Sequence, residues 1–208
     1  MAKGKVIVEQ AHRVAHVERA TRETQIAVDL DLDGTGAATI DTGLPFLDHM
    51  LEQVARHGLF DLTIRCRGDV AVDAHHTVED CGLTLGRAFH QALGDRAGIR
   101  RMGQALVPMD EALAQVAIDV SGRPYCVADV GGAGSDDGQV PASLIRHLLE
   151  SFAAEARLTL HVRVLAGASG HHQAEAIFKA LARALQEAVQ HDPRRAGAVP
   201  STKGTLTG

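Results

Sequence analysis

The sequence predicts an α+β protein built from two duplicated β-β-α-β-α halves, each an antiparallel or mixed sheet with helices on one face. Three observations carry this. First, the chain repeats itself: His75-His76-Thr77-Val78-Glu79 returns as His171-His172-Gln173-Ala174-Glu175, 96 positions later. Second, two upstream blocks recur in the same order. Asp48-His49-Met50-Leu51-Glu52 parallels Arg146-His147-Leu148-Leu149-Glu150, and Ile26–Leu30 parallels Val116–Val120. Third, strand-like alternation and helix-like spacing follow one another in the same sequence in both copies, and strands with helices gathered on one face belong to the α+β class.

The elements follow in order. The opening Met1–Lys5 leads into a short strand-like run, Val6–Val8, with no signal-peptide core. Glu23 to Leu32 alternates as a strand, Asp33-Gly34 reads as a hairpin turn, and Ala37 to Ile40 is the returning strand. Pro45 opens a helix through Leu47, Met50, Leu51 and Val54. Leu59 to Cys66 is a strand, Val70 to Val72 a short strand, and His75 to Leu93 a helix. The second half gives strands at Leu113–Val120, Tyr125–Val130 and Leu158–Leu165, with helices at Pro141–Ala156 and His171–Val189. The division falls at residues 1–94 and 95–191, with the break in the Gly- and Arg-rich stretch Gly94–Gly103. Residues 192–208 form a tail with two Pro and three Gly and no core of its own.

Composition narrows the function. Apolar residues make up 45% of 208, enough for a sizeable core, and the net charge of -5 argues against a nucleic-acid surface. No run of 18 apolar residues is present, so no membrane partner is expected. Three distant cysteines, Cys66, Cys81 and Cys126, fit reduced thiols in a cytoplasm. Aromatics are only 3%, which leaves few stacking platforms, whereas the 12 histidines are clustered.

Those clusters point to metal. Adjacent residues on a helix diverge by about 100° and residues four apart share a face. Each glutamate can therefore neighbour a histidine, while the two histidines of a pair point differently and suit different ions. Asp73 and Ser169, each two residues ahead of a pair, are N-cap candidates that place the pairs in first helical turns. With His49 and His147, the candidate ligands are His49, His75, His76, Glu79, His147, His171, His172 and Glu175. They divide into two sites of three His and one Glu, leaving open positions on an octahedral ion. Imidazole with carboxylate suits Mn, Fe, Co, Ni or Zn over Ca or Mg, and octahedral geometry leans to Mn or Fe. His12, His16, His57, His90, His161 and His191 show no such pattern and read as incidental polar residues. Lys179 reads either as a routine helical partner of Glu175 or as a cation facing the metals. Asp29-Leu30-Asp31-Leu32-Asp33-Gly34 imitates an EF-hand start, but its twelfth position is Ile40, so a strand and turn is the better reading.

The chain resembles the imidazoleglycerol-phosphate dehydratase family. The resemblance rests on Arg19–Thr24, Leu44–Met50, Asp73–Gly82, Pro108–Ala112, Gly170–Ala180 and Ser201–Gly204, and spans about residues 6 to 204. It implies a fold of the ribosomal protein S5 domain 2-like type and two Mn ions per chain. It also implies self-association as trimers that pack into a 24-mer, with sites between subunits and metal driving assembly. Some relatives carry a phosphatase domain ahead of the dehydratase, and this length is expected to leave no room for one. The implied activity is dehydration of D-erythro-imidazole-glycerol phosphate to imidazole-acetol phosphate in L-histidine biosynthesis, through a metal-bound imidazolate. The substrate would be a small phosphorylated imidazole. Glu23 and Glu175 are the candidates for moving the carbon-bound proton. By resemblance, Arg101, Arg123, Lys179, Ser201, Thr202 and Lys203 would bind the phosphate, with the tail ordered by ligand, and Glu23 would also contact the substrate. Two other readings compete: a metal-dependent assembly protein without turnover, and a dinuclear metallohydrolase. Vacant coordination positions argue against the first, and the excess of His over bridging carboxylates against the second.

Overall fold

A computed structural model describes residues 12–206. The first half holds β1 (Val14–Ala20), β2 (Thr24–Asp31), β3 (Ala38–Asp41), α1 (Pro45–Gly58), β4 (Asp61–Gly68) and α2 (His75–Leu93). The second holds β5 (Met102–Met109), β6 (Ala112–Asp119), β7 (Tyr125–Asp129), α3 (Ala142–Ala156), β8 (Thr159–Ala166) and α4 (Gly170–Val189). Each half makes one four-stranded sheet, in the orders β1-β2-β4-β3 and β5-β6-β8-β7. Helices α1 and α2 cover the first sheet and α3 and α4 the second. The two helical layers meet between the sheets, α2 on α3 and α1 on α4. Val6–Val8 lies outside the described residues.

The helices form where the apolar spacing places them. Pro45 opens α1, whose buried stripe is Leu47, Met50, Leu51 and Val54. Asp48 accepts hydrogen bonds from the Thr42 backbone N–H and hydroxyl at 2.8 and 2.5 Å, tying down the start of the helix. Ser169 caps α4 by accepting from the His172 N–H, whereas α2 has no side-chain cap. Asp73 stands just ahead of the α2 cap and accepts from the His75 N–H at 3.0 Å. Because α4 touches its own sheet on one side and α1 on the other, its apolar surface is wider than one stripe, with Ala174, Phe178 and Ala182 buried as well as Ile177, Leu181, Leu185 and Ala188.

Three sequence expectations are corrected. β1 and β5 are real strands, so each half is β-β-β-α-β-α. Both pair antiparallel along one edge of their sheets. β1 buries only Val17 fully, and the inward positions of β5 are Gly103, Ala105 and Val107, so neither shows a strong alternating signal. The Asp33-Gly34 turn does not make a hairpin. β3 instead runs parallel to β4 at the far edge of the sheet, the crossover between them being α1, and β7 pairs with β8 in the same way across α3. Val70–Val72 is a turn, closed by the Val72 N–H donating to the Asp69 carbonyl. The imitation EF-hand aspartates are spent on neighbours: Asp29 on His16, Asp31 on His12 and Asp33 on Arg13.

Two glycines let the halves close. On α2, Gly82 and Gly86 face α3 so tightly that a Cβ would lie 2.8 Å from the Leu148 carbonyl and 2.5 Å from the Phe152 carbonyl. Phe89 fills the space beyond, edge-on to Phe60 and Phe152. Cys66 and Cys81 are buried free thiols and Cys126 is half-buried.

Candidate metal centres

The close crossing of α2 and α3 brings side chains of different halves together. His75 and Glu79 lie one helical turn apart at the start of α2, and His147 comes from α3. His75 Nε2 is 3.8 Å and His147 Nε2 3.6 Å from the Glu79 carboxylate, with the two rings 4.7 Å apart. The crossing of α1 and α4 repeats the arrangement. His171 and His49 place their Nε2 atoms 3.1 and 3.2 Å from Glu175 Oε1. In each cluster the three donor atoms lie within 4.8 Å of one another. Each half thus takes the first-helix histidine of the other.

These donor sets fit a divalent ion. A first-row metal with donors at about 2.1 Å holds adjacent donors roughly 3 Å apart, close to the spacings observed. His147 Nε2 is buried with no hydrogen-bond partner among the described residues and is aimed into its cluster. A buried nitrogen without a partner is costly unless something accepts its lone pair. Glu175 is held as a carboxylate with a pKa of about 2. Burial alone would raise it, but the Lys179 ammonium 2.5 Å away and the hydrogen bonds from His49 and His171 outweigh that. Lys179 therefore is the helical partner of Glu175, and its Nζ also reaches the Met109 sulfur at 3.3 Å.

His76 and His172 do not join these clusters. Their rings stand at 83° and 85° to those of His75 and His171, as neighbouring helical positions require. The single chain therefore gathers two His and one Glu at each centre, one His short of the set expected from sequence. The Nδ1 atoms of both outlying rings are bound by carboxylates that sequence reasoning gave no role. Asp69 lies 3.1 Å from His76, and Glu111 2.7 Å from His172. The pairing raises both imidazoles above their ordinary range and helps hold Glu111 at about 2. Such carboxylates orient the ring and leave Nε2 to bind outward. Both sit in turns, where no periodicity marks them.

Glu23 stands 3.8 Å from His76 Nε2, in the turn between β1 and β2. Asp80, almost fully buried, accepts from Arg19 at 2.8 Å and from the Thr24 hydroxyl, tying that turn to α2. The remaining predicted site residues lie elsewhere. The Arg101 backbone N–H donates to the Ala188 carbonyl at the far end of α4. At 1.5 Å per residue, that end is about 24 Å from His172. Arg101 grips Asp119 through two hydrogen bonds and donates a third to the Pro200 carbonyl, so the tail lies beside it. Arg123 follows the adjoining Ser121-Gly122 turn, and Ser201, Thr202 and Lys203 form a tight turn in the tail. A groove of about 770 Å³ runs along α4, with Lys179 and Arg100 among its lining residues.

A duplicated α+β chain with two equivalent imidazole–carboxylate clusters defines a class of protein with two places where a metal ion could be held. A sequence profile of the imidazoleglycerol-phosphate dehydratase family matches residues 42–185. The chain is 58% identical to the imidazoleglycerol-phosphate dehydratase of Frankia casuarinae, over 93% of this chain and 99% of that protein. It is 58% identical to the one from Kineococcus radiotolerans, with the same coverage. The crystal structure of the Staphylococcus aureus enzyme superposes with a TM-score of 0.77 at 32% identity, covering 86% of this chain and 99% of that one. The Pyrococcus furiosus enzyme, in complex with (S)-C348, gives 0.79 at 35%, covering 91% and 99%. The chain belongs to the imidazoleglycerol-phosphate dehydratase family and is a hydro-lyase. That removes the assembly-only and metallohydrolase readings. Among the described residues, no helix is long and apolar enough to cross a membrane.

Proposed function

We propose that this protein dehydrates D-erythro-imidazole-glycerol phosphate to imidazole-acetol phosphate in the histidine pathway, using two divalent ions per chain, Mn2+ by family resemblance. The observation that carries the metal reading is the pair of equivalent clusters, His75–Glu79–His147 and His49–His171–Glu175, with the unpartnered His147 nitrogen in one of them. The bound ions would supply Lewis acidity to the substrate's imidazole.

The chain's own residues handle the proton and the phosphate. Loss of water requires removal of a carbon-bound proton and departure of the neighbouring hydroxyl. Glu23 is the better candidate for the proton, because its side chain is 52% exposed beside His76, whereas Glu175 is 11% exposed and both its oxygens are engaged. Arg101, Arg123, Ser201, Thr202 and Lys203 are the phosphate-binding group. Lys179 sits at the other end of α4 beside a metal cluster and serves Glu175 there. Since about 24 Å of helix separates the phosphate group from His172, one small substrate cannot touch both within one chain. The complete site therefore takes residues from more than one copy, in line with trimers assembling into a 24-mer. In that assembly His76 and His172, pointing outward, supply the third imidazole to clusters of neighbouring copies.

Elemental analysis with solution mass before and after chelation tests this. Two Mn per chain in a large particle that falls to trimers without metal, together with formation of imidazole-acetol phosphate, is the expected result. One ion or none, with unchanged mass, would sink the two-site reading.

A further inference from the structure

The loop that joins the two halves hides an arginine with no carboxylate partner among the described residues. Arg96 is 1% exposed and sits at a positive φ of 61°. Its Nη1 donates to the Leu206 carbonyl at 2.5 Å, and its Nη2 lies 3.0 Å from His90 Nδ1. Its Nε is buried without a hydrogen bond among the described residues. Burial pushes the guanidinium pKa down, and among the described residues the cation Arg157 acts in the same direction. Burying a charge without a counter-charge opposes folding, so its retention asks for a purpose.

Its partners supply one. Leu206 is held from the other side by the Ser121-Gly122 turn. A Cβ on Gly122 would lie 1.8 Å from the Leu206 carbonyl oxygen and 2.9 Å from Arg96 Nη1, and φ there is +80°, so only glycine allows the approach. Arg101, from the same inter-half loop, holds Pro200 by its carbonyl at 2.8 Å. Two arginine-to-carbonyl clamps thus grip the tail at Pro200 and Leu206. Between them lies the Ser201–Gly204 turn, closed by the Gly204 N–H donating to the Ser201 carbonyl and the Lys203 N–H to the Ser201 hydroxyl, both at 3.1 Å. Arg123 directly follows the glycine against which Leu206 rests.

We propose that Arg96 is a positioning residue for the substrate's phosphate: by pinning Leu206 against Gly122 it holds the Ser201–Thr202–Lys203 turn beside Arg101 and Arg123. This rests on the reading of those residues as the phosphate-binding group. A tail fixed at one end only would have to be ordered at each binding event, and that ordering weakens affinity. With both ends clamped, the turn is arranged before the phosphate arrives, in place of the ordering by ligand that the family resemblance implied.

The test uses the full-length, metal-loaded assembly and compares Arg96→Met, Arg96→Lys and Lys203→Ala. Measured are kcat, KM, competitive inhibition by inorganic phosphate, and trypsin cleavage at Lys203. Arg96→Met is expected to weaken both KM and phosphate inhibition about tenfold, with kcat within about twofold, and to speed cleavage at Lys203. Arg96→Lys, which keeps one donor for Leu206, should recover most of the loss. A merely structural role would lower thermal stability and active fraction but leave KM and phosphate inhibition unchanged. Should Arg96→Met not fold, a chain ending at Thr205 removes the carbonyl acceptor and should raise KM equally. If KM and phosphate inhibition hold in the Arg96 or truncated variants while Lys203→Ala weakens both, the positioning role is overturned. If Lys203→Ala also changes neither, the phosphate reading of the tail fails, and the role of Arg96 with it.

Discussion

Gly82 sets how closely α3 approaches α2, and therefore where His147 stands relative to His75 and Glu79. In Gly82→Ala the new Cβ would meet the Leu148 carbonyl at 2.8 Å and Ser151 Cβ at 3.0 Å. Ordinary contact begins at 3.4 Å, so the helices must part by about 0.6 Å at the residue next to His147. Overpacking of this kind costs roughly 1–3 kcal/mol, and alanine returns up to about 1 kcal/mol of helix propensity over glycine. The net loss of stability is therefore small, about 0–2 kcal/mol. The effect on metal is larger. His147 Nε2, 3.6 Å from Glu79, moves away from it, and misplacing the support of a ligand weakens metal binding about 10–100-fold. The centre at His49, His171 and Glu175 lies on the other helix crossing and should keep its affinity. Metal content measured against a series of chelator concentrations should resolve one weak and one unchanged site per chain. Gly86→Ala is the control. Its Cβ overlaps the Phe152 carbonyl more severely, at 2.5 Å, but one turn farther from Glu79. It should cost more stability in urea unfolding and less metal affinity. If both variants lose stability while neither distinguishes the two metal sites, helix spacing does not govern the cluster and the reasoning fails.

His76→Ala and His172→Ala should leave folding of the chain nearly unchanged, since both rings are at the surface of the single copy, yet abolish turnover and reduce particle size by light scattering. Normal activity at ordinary metal levels would remove these residues from the site. Asp80→Asn takes the charge from the buried carboxylate that ties the Glu23 turn to α2. It should cost about 2 kcal/mol in chemical denaturation and lower kcat more than it raises KM, and an unaltered kcat would uncouple Asp80 from Glu23. Asp33 is paired with Arg13, whose hydrogen bond lowers its pKa. A depressed folded-state carboxyl contributes stability that is complete above its unfolded pKa, near 3.8, and is lost as pH falls through the lower folded value. The difference in unfolding free energy between the unmodified protein and Asp33→Asn should thus be small at pH 7, about 1 kcal/mol for a pair near the surface, and shrink on acidification below pH 4. A difference that grows in acid would reverse the sign and refute the pairing.

The parts of the fold visible in the sequence were those with strong local periodicity. All four helices appear within one residue of their expected starts, because each has an apolar stripe and three have a punctuating residue: Pro45 for α1, Pro141 for α3 and Ser169 for α4. The central strands β2, β4, β6 and β8 were equally readable, since they alternate between core and outward positions over most of their length. Of the edge strands, β3 and β7 were read close to their bounds, but β1 and β5 were not. β1 presents His16 and Glu18 outward, and β5 turns small residues inward, so neither has the contrast that marks a half-buried strand. The pairing of β3 with β4 was hidden for another reason: a turn signal says that the chain reverses, not which strand receives it.

The candidate site divides along the same line. His-His-x-x-Glu spacing in a first helical turn determines locally that one histidine shares a face with the glutamate and that the other diverges. This holds in both copies before any tertiary contact is known. The sequence likewise determined which residue types could bind metal, and that there are two sets of them. Only the tertiary structure decided that His147 serves Glu79 and His49 serves Glu175, each crossing from the opposite half. It also decided that His76 and His172 turn to Asp69 and Glu111, and that Arg96 bonds the Leu206 carbonyl. The reason is physical. Direction along a helix follows from about 3.6 residues per turn, which any short stretch of sequence carries. Which helix lies opposite depends on packing between residues more than 60 positions apart, and here on two glycines that allow backbone to meet backbone.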